Sequence, residues 1–278
     1  MKKLSLLFLI LCLSLAACSG SKSETGKDTP AAEPVEITVF AAASLQESLS
    51  AAIESYKAVA PEVTVVATYD SSGTLKTQIQ AGAPCDLFIS ASSKQLDALD
   101  GALKNAPHKN PDGLDFVLQG SRTDLLENRV TLAVPAGNPA GIENFARLAE
   151  LLENGEVLLA VGNSDVPVGQ YTQKIFAYYG IDEAAVSRKL TYGSNAKEVA
   201  TQVAEGAVDC GIIYGTDAFS AGLTVVDSAT ADMCGQVIYP AAVMNSGSQS
   251  EAAQAFLNYL CSKEALACFE AVGFSPLV

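Results

Sequence analysis

From Glu36 onward, short runs rich in apolar and β-branched residues alternate with amphipathic helical stretches. This alternation leaves few folds open, because strand, helix and strand in succession build a mostly parallel sheet covered by helices. Residues 36–42 read as a strand. Leu45, Leu49, Ile53 and Tyr56 then mark one face of a helix that Pro61 stops. A second strand is expected at 63–69, a second helix opening at 71–75 and ending at Gly82, and a buried strand at 86–90. The plan repeats beyond a strand at 130–134. Phe145, Leu148 and Leu152 mark a helix, 157–161 a strand, 171–179 a helix ended by Gly180, and 210–214 another strand. Two short segments carry the duplication locally: QAGAPCDLFI at 80–89 and AEGAVDCGII at 204–213 share a helix end, a Gly-Ala turn, an Asp and a buried strand. Any helix-to-strand junction has some of these features. A strand at 237–243 and one helix over 250–269, with Phe256, Leu260, Leu266 and Phe269 inward, close the chain. The expected fold is α/β with two lobes, each a βαβ-built sheet flanked by helices. Residues 35–130 plus 238–278 form one lobe and 131–237 the other. The chain crosses between them at 130–134 and 237–243, and a ligand cleft lies between.

The first 34 residues stand outside this pattern. Lys2 and Lys3 precede an apolar run over 4–17, too short for a membrane-spanning helix and shaped like an export signal. Leu15-Ala16-Ala17-Cys18 followed by Ser19 resembles a lipobox, which implies a signal peptide over 1–17 and a lipid on Cys18. The stretch 18–34, rich in Ser, Thr, Gly, Pro and Ala without a periodic apolar face, reads as a flexible tether. The expected product is exported and anchored to the outer face of the cytoplasmic membrane, in the periplasm where an outer membrane exists.

Charge and cysteine content exclude several functions. The 278 residues carry 17 Lys and Arg against 31 Asp and Glu, a net charge of −14, and cleavage before Cys18 would leave 15 against 31, or −16. A chain this acidic lacks the basic patches that nucleic-acid binding needs. Cys85, Cys210, Cys234, Cys261 and Cys268 remain after processing, an odd number without short paired spacing, so packed thiols are expected rather than a disulfide scaffold. One His, His108, and no Cys-x-x-Cys argue against a protein-held metal or cofactor.

Chemistry in an open α/β sheet lies at strand ends, where helix N-termini point into the crevice. Four junctions carry small or hydroxylated residues there: Phe40-Ala-Ala-Ala-Ser44-Leu45, Asp70-Ser71-Ser72-Gly73-Thr74, the Pro-Gly loop Asp165-Val-Pro-Val168-Gly169-Gln170-Tyr171, and Ser194-Asn195-Ala196-Lys197. Each alone is explicable as capping; Ser44 with Glu47, for example, fits a capping box. Four in alternating halves favour an anion cleft.

FAAASL at 40–45, YDSSGTL at 69–75, GAPCDLFISA at 82–91, AVGNSDVPVGQY at 160–171 and GIIYGTDA at 211–218 together resemble the periplasmic molybdate-binding proteins of ABC importers, from about residue 36 to the C-terminus. The resemblance implies a type II periplasmic-binding-protein fold. It also implies a molybdate or tungstate oxyanion held by hydroxyls and backbone N–H groups, without direct protein–metal bonds. The implied ligand set is Ser44, Ser72, Val168, Ala196 and Tyr214, with Ser194, Asn195 and Lys197 as alternative donors beside Ala196. A monomer that hands its anion to a permease and ATPase is implied, and residues 102–116, outside the resemblance, read as a surface insertion. The alternatives are a binding protein for another tetrahedral oxyanion such as sulfate or phosphate, and a serine-dependent hydrolase. Against the hydrolase, Gly-x-Ser-x-Gly is absent and His108 lies in a Pro- and Asn-rich stretch.

Overall fold

The computed structural model describes residues 34–278. The expected signal peptide, the expected Cys18 lipid site and the expected tether up to residue 33 lie outside the described residues. Along the chain run β1 (Val35–Ala42), a 3-10 turn (Ala43–Leu45), α1 (Gln46–Tyr56), β2 (Val63–Asp70), α2 (Ser72–Gln80), β3 (Leu87–Ile89), α3 (Ser93–Asp97) and β4 (Thr123–Asn128). Next come β5 (Val130–Val134), α4 (Phe145–Glu153), β6 (Leu159–Gly162), α5 (Pro167–Tyr179), α6 (Glu183–Val186), β7 (Leu190–Gly193), α7 (Ala196–Ala204), β8 (Cys210–Tyr214), α8 (Gly215–Ser220) and β9 (Thr224–Ser228). The chain ends with α9 (Ala231–Cys234), β10 (Val237–Val243), α10 (Ser250–Leu260), α11 (Lys263–Glu270) and β11 (Ser275–Pro276).

These strands form two sheets, ordered β11-β4-β10-β3-β1-β2 and β7-β6-β8-β5-β9. In the first, β1 lies parallel between β2 and β3, and β10 pairs antiparallel with β3 and β4. In the second, β6 lies parallel between β7 and β8, and β5 pairs antiparallel with β8 and β9. The two sheets are therefore one plan built twice. The duplicated segments show it in detail. Asp86 donates its N–H to the Thr38 carbonyl at 2.8 Å and takes the Thr38 N–H on Oδ2 at 2.7 Å. Asp209 does the same with Leu158, at 3.0 and 2.7 Å. Each Asp thus clamps the start of its buried strand, β3 or β8, to the parallel strand beside it, β1 or β6.

The strands at 130–134 and 237–243 each lie wholly in one sheet, so they are not the crossing itself. The chain passes from the first sheet to the second at Arg129 and returns between Ser228 and Val237. The C-terminal helix expected over 250–269 is two helices: Ser262 caps a new start, its Oγ accepting the Ala265 N–H at 3.3 Å, and the chain bends there. The bend seats both halves on α1, where the Tyr56 ring meets Phe256 at 4.9 Å and Tyr259 at 4.8 Å between centroids. Truncating a buried ring of this kind costs about 3–5 kcal/mol. Residues 102–116 are more than a surface insertion. Asn110, 1% exposed, binds the Asp100 and Leu114 carbonyls through Nδ2, and Leu114 and Phe116 pack on the core beneath α2. Among the described residues all five cysteines are free thiols, and burial pushes the Cys85 thiol up to about 12. No described helix is long and apolar enough to cross a membrane.

Candidate oxyanion site between the two sheets

A helix N-terminus leaves its first N–H groups without intrahelical partners, and three helices start where the two sheets face each other. At α2 the adjacent serines divide the work. Ser71 caps, its Oγ accepting the Thr74 N–H at 3.0 Å. Ser72 is the first helical residue; its Oγ accepts the Ala91 N–H at 3.0 Å from just beyond β3, which leaves its own proton to donate. At α5 the helix begins at Pro167, so residues 167–171 are its first turn rather than a loop feeding it. Intrahelical bonding there starts with the Gln170 N–H on the Val166 carbonyl at 3.1 Å, so the Val168 N–H precedes it. At α7, Asn195 caps by accepting the Glu198 N–H at 2.9 Å, and Ala196 is the first helical residue. The neighbours named as alternative donors have partners of their own: Ser194 donates its N–H and Oγ to Glu198, both at 2.7 Å, and Lys197 Nζ reaches Gln46 Oε1 at 2.8 Å.

The capping box expected at Ser44 and Glu47 does not form. Ser44 sits in the 3-10 turn after β1, where its Oγ pairs with the Tyr239 hydroxyl of β10 at 2.9 Å, while Glu47 accepts from Ser220 of α8. Tyr239 also accepts from Asn128 Nδ2 at 3.2 Å, and Asn128 in turn donates to Thr216 at 2.9 Å. This chain of polar groups ties the first sheet to the second beside the crossing. Asn128 and Tyr239 went unnoticed in the sequence because nothing in a lone strand-end Asn or a mid-strand Tyr marks it as supporting a site. Tyr214 ends β8, and its hydroxyl is buried without a hydrogen-bond partner. Burial holds its pKa well above the usual phenol value, so it stays a neutral donor.

Ser44, Ser72, Ala196 and Tyr214 come together around one narrow cleft with a cavity volume of about 10 Å³, walled by Ala91, Val166 and Pro167. Val168 stands one residue behind that wall, its side chain in the core. On that volume measure one water needs about 10–15 Å³, so the cleft as it stands is nearly filled by its own lining. Among the described residues Asp70 is the single charged one lining it, and its Oδ1 accepts the Ser71 N–H at 2.6 Å. Otherwise the wall offers hydroxyls and helix starts, each start carrying about half a positive charge. An unpartnered buried hydroxyl beside three such starts suits a small anion with several acceptor oxygens.

Fold and site together define a two-lobed α/β binding protein with a narrow cleft between its lobes. The chain belongs to the bacterial extracellular solute-binding proteins, whose family description matches residues 37–275. It is 31% identical over 264 residues to the putative ABC transporter substrate-binding lipoprotein YvgL of Bacillus subtilis, covering 95% of this chain and 94% of that protein. To the molybdate-binding protein ModA of Escherichia coli it is 32% identical over 275 residues, 97% of this chain and 96% of that one. Among solved structures, the substrate-binding domain of a putative molybdenum ABC transporter from Clostridium difficile superposes with a TM-score of 0.63 at 28% identity, covering 88% of this chain and all of that one.

Proposed function

We propose that the protein captures molybdate, and tungstate with it, in the pocket between the two sheets and delivers it to the permease and ATPase of an ABC importer. The observation that carries this reading is the buried Tyr214 hydroxyl, which lacks a partner and lines the same space as Ser44, Ser72 and the start of α7. Ser44, Ser72 and Tyr214 donate hydroxyls, and the first-turn N–H groups at Val168 and Ala196 complete the cage. Neutral donors hold the dianion without a lysine whose desolvation would add cost, and enclosure strengthens each contact by excluding water. A cage sized for the larger oxyanions then leaves donors unmet by the smaller sulfate, which disfavours it. The molybdenum makes no bond to a protein atom.

Binding without turnover fits the partners of the serines. Ser44 pairs with a tyrosine hydroxyl and Ser72 with a backbone N–H, so neither has a base to take its proton. We further infer that the chain acts as an exported monomer held to the outer face of the cytoplasmic membrane by a lipid on Cys18, which predicts that fatty-acid labelling is lost in Cys18→Ala. Thermal unfolding with each anion in turn tests the ligand. Molybdate and tungstate at a thousandfold excess over Kd should stabilise by about 4 kcal/mol while sulfate and phosphate at equal concentration do little. Equal stabilisation by phosphate would assign the site to another oxyanion.

A further inference from the structure

Gly73, the second residue of α2, is buried against the opposite lobe. A Cβ built on it would lie 2.1 Å from the backbone carbonyl oxygen of Asp165, in the turn between β6 and α5. No real Cβ tolerates that approach, and the obstacle is backbone, which cannot swing aside as a side chain end would. The turn is braced from within. Asn163 pins it, accepting the Asp165 N–H on Oδ1 at 2.9 Å and the Val166 N–H on its carbonyl at 3.0 Å. Behind it, Gly169 packs so closely that its own Cβ would stand 2.2 Å from the Asn163 carbonyl oxygen. On the other side of the pocket the lobes meet through side-chain tips, Lys197 on Gln46 and Ser220 on Glu47, which yield easily. One rim of the cleft is therefore a rigid backbone stop and the other is compliant.

We propose that Gly73 sets how far the two lobes close: its missing side chain admits the Asp165 carbonyl and lets the starts of α2 and α5 converge on a single anion. The inference rests on the oxyanion reading of the pocket and adds a positioning residue that touches no ligand. Its backbone φ lies outside the left-handed region, so alanine costs nothing in conformation there and slightly favours the helix. An added methyl group therefore pushes the two lobes apart at this rim.

The test compares the protein with Gly73→Ala and Gly73→Val, and with Gln80→Ala at the exposed end of the same helix. Molybdate affinity should fall at least tenfold in Gly73→Ala and further in Gly73→Val, the unliganded melting temperature should stay at or above the parent value, and Gln80→Ala should bind like the parent. A purely structural role for Gly73 would instead lower the unliganded melting temperature and leave affinity unchanged. Parent-like affinity in Gly73→Ala overturns the inference, and if the valine variant fails to fold, the alanine variant decides alone. A parent that ignores molybdate counts against the ligand reading, and the comparison is then made with whichever of tungstate, sulfate or phosphate stabilises it. If none does, small-angle scattering without anion decides: a larger radius of gyration in Gly73→Val supports the stop, and equal radii overturn it.

Discussion

The two lobes run the same backbone through the site and equip it differently. Ser44 stands two residues past the cap of its turn, at Ala42, as Val168 stands two past Val166. Ser72 follows the cap Ser71 as Ala196 follows the cap Asn195. At equivalent positions the first lobe therefore adds hydroxyls to its N–H groups, whereas the second offers N–H groups alone and supplies its hydroxyl from Tyr214 at a strand end. Conserving the backbone plan keeps the donors convergent, and the side chains are then free to differ.

The buried acids differ as well, and the largest expected effect breaks the likeness there. Asp86 in the first lobe has both carboxylate oxygens bonded, Oδ2 by Thr38 and Oδ1 by the Gln249 N–H at 2.9 Å. Asp217 in the second is 7% exposed with Oδ2 unpartnered, and burial pushes its pKa up to about 7 despite the pull of Lys197. A carboxyl whose folded pKa exceeds its unfolded value, about 3.9, penalises the fold only once ionised. Below about pH 4 both states hold the proton and there is no penalty; it grows from about pH 4 and is complete above about pH 7. The full loss is on the order of 4 kcal/mol. Urea unfolding from pH 4 to 8 should show Asp217→Asn gaining steadily on the parent as pH rises; a difference independent of pH would show that Asp217 does not hold a proton in the fold.

Next in size is the division of donors. On the proposed molybdate reading, Ser44→Ala, Ser72→Ala and Tyr214→Phe should each remove a hydrogen bond to the dianion, about 1.5–3 kcal/mol, or roughly ten- to a hundredfold in molybdate affinity by calorimetry. In the second lobe, side-chain truncation should do little, as with Ala196→Gly. Ala196→Pro should match the serine losses, because proline at the first helical position removes the N–H while keeping the helix, and the extended Asn195 before it accepts a proline. Parent-like binding by Ala196→Pro would take that backbone donor out of the site.

The smallest contrast lies within one pair. Ser71→Ala should cost about 1 kcal/mol of stability by denaturant titration, the ordinary value of a cap, with molybdate affinity nearly intact. Its neighbour Ser72→Ala should show the affinity loss, and it also strands the Ala91 N–H. A Ser71 variant that loses affinity as strongly as the Ser72 variant would erase the division between the two serines.

Much of the fold was legible because the parallel strands are apolar runs bounded by helices with clear faces. The elements missed were those whose sequence carries little pattern. Four-residue β7 exposes two of its residues, β9 is an edge strand with no buried position, and β4, Thr-Asp-Leu-Leu-Glu-Asn, mixes acids into its length. At the site, Ser44 and Ser72 announced themselves as hydroxyls at helix starts, yet their capping roles were not separable by eye: Ser71 caps and Ser44 does not. Val168 and Ala196 came only from resemblance, since a backbone N–H leaves no trace in residue type. Asp217 gave no signal because its isolation depends on what packs around it.

The sheet order has a consequence for how the molecule is made. The second sheet is drawn from one unbroken stretch, β5 to β9, whereas in the first, β10 sits between β3 and β4 and β11 lies outside β4. Until Val237 and the residues beyond it have arrived, β3 keeps an open edge and β4 has no neighbour. A chain emerging from its N-terminus therefore carries its first lobe unfinished while its second can close upon itself, and the last part to be synthesised is the one that seals the part made first.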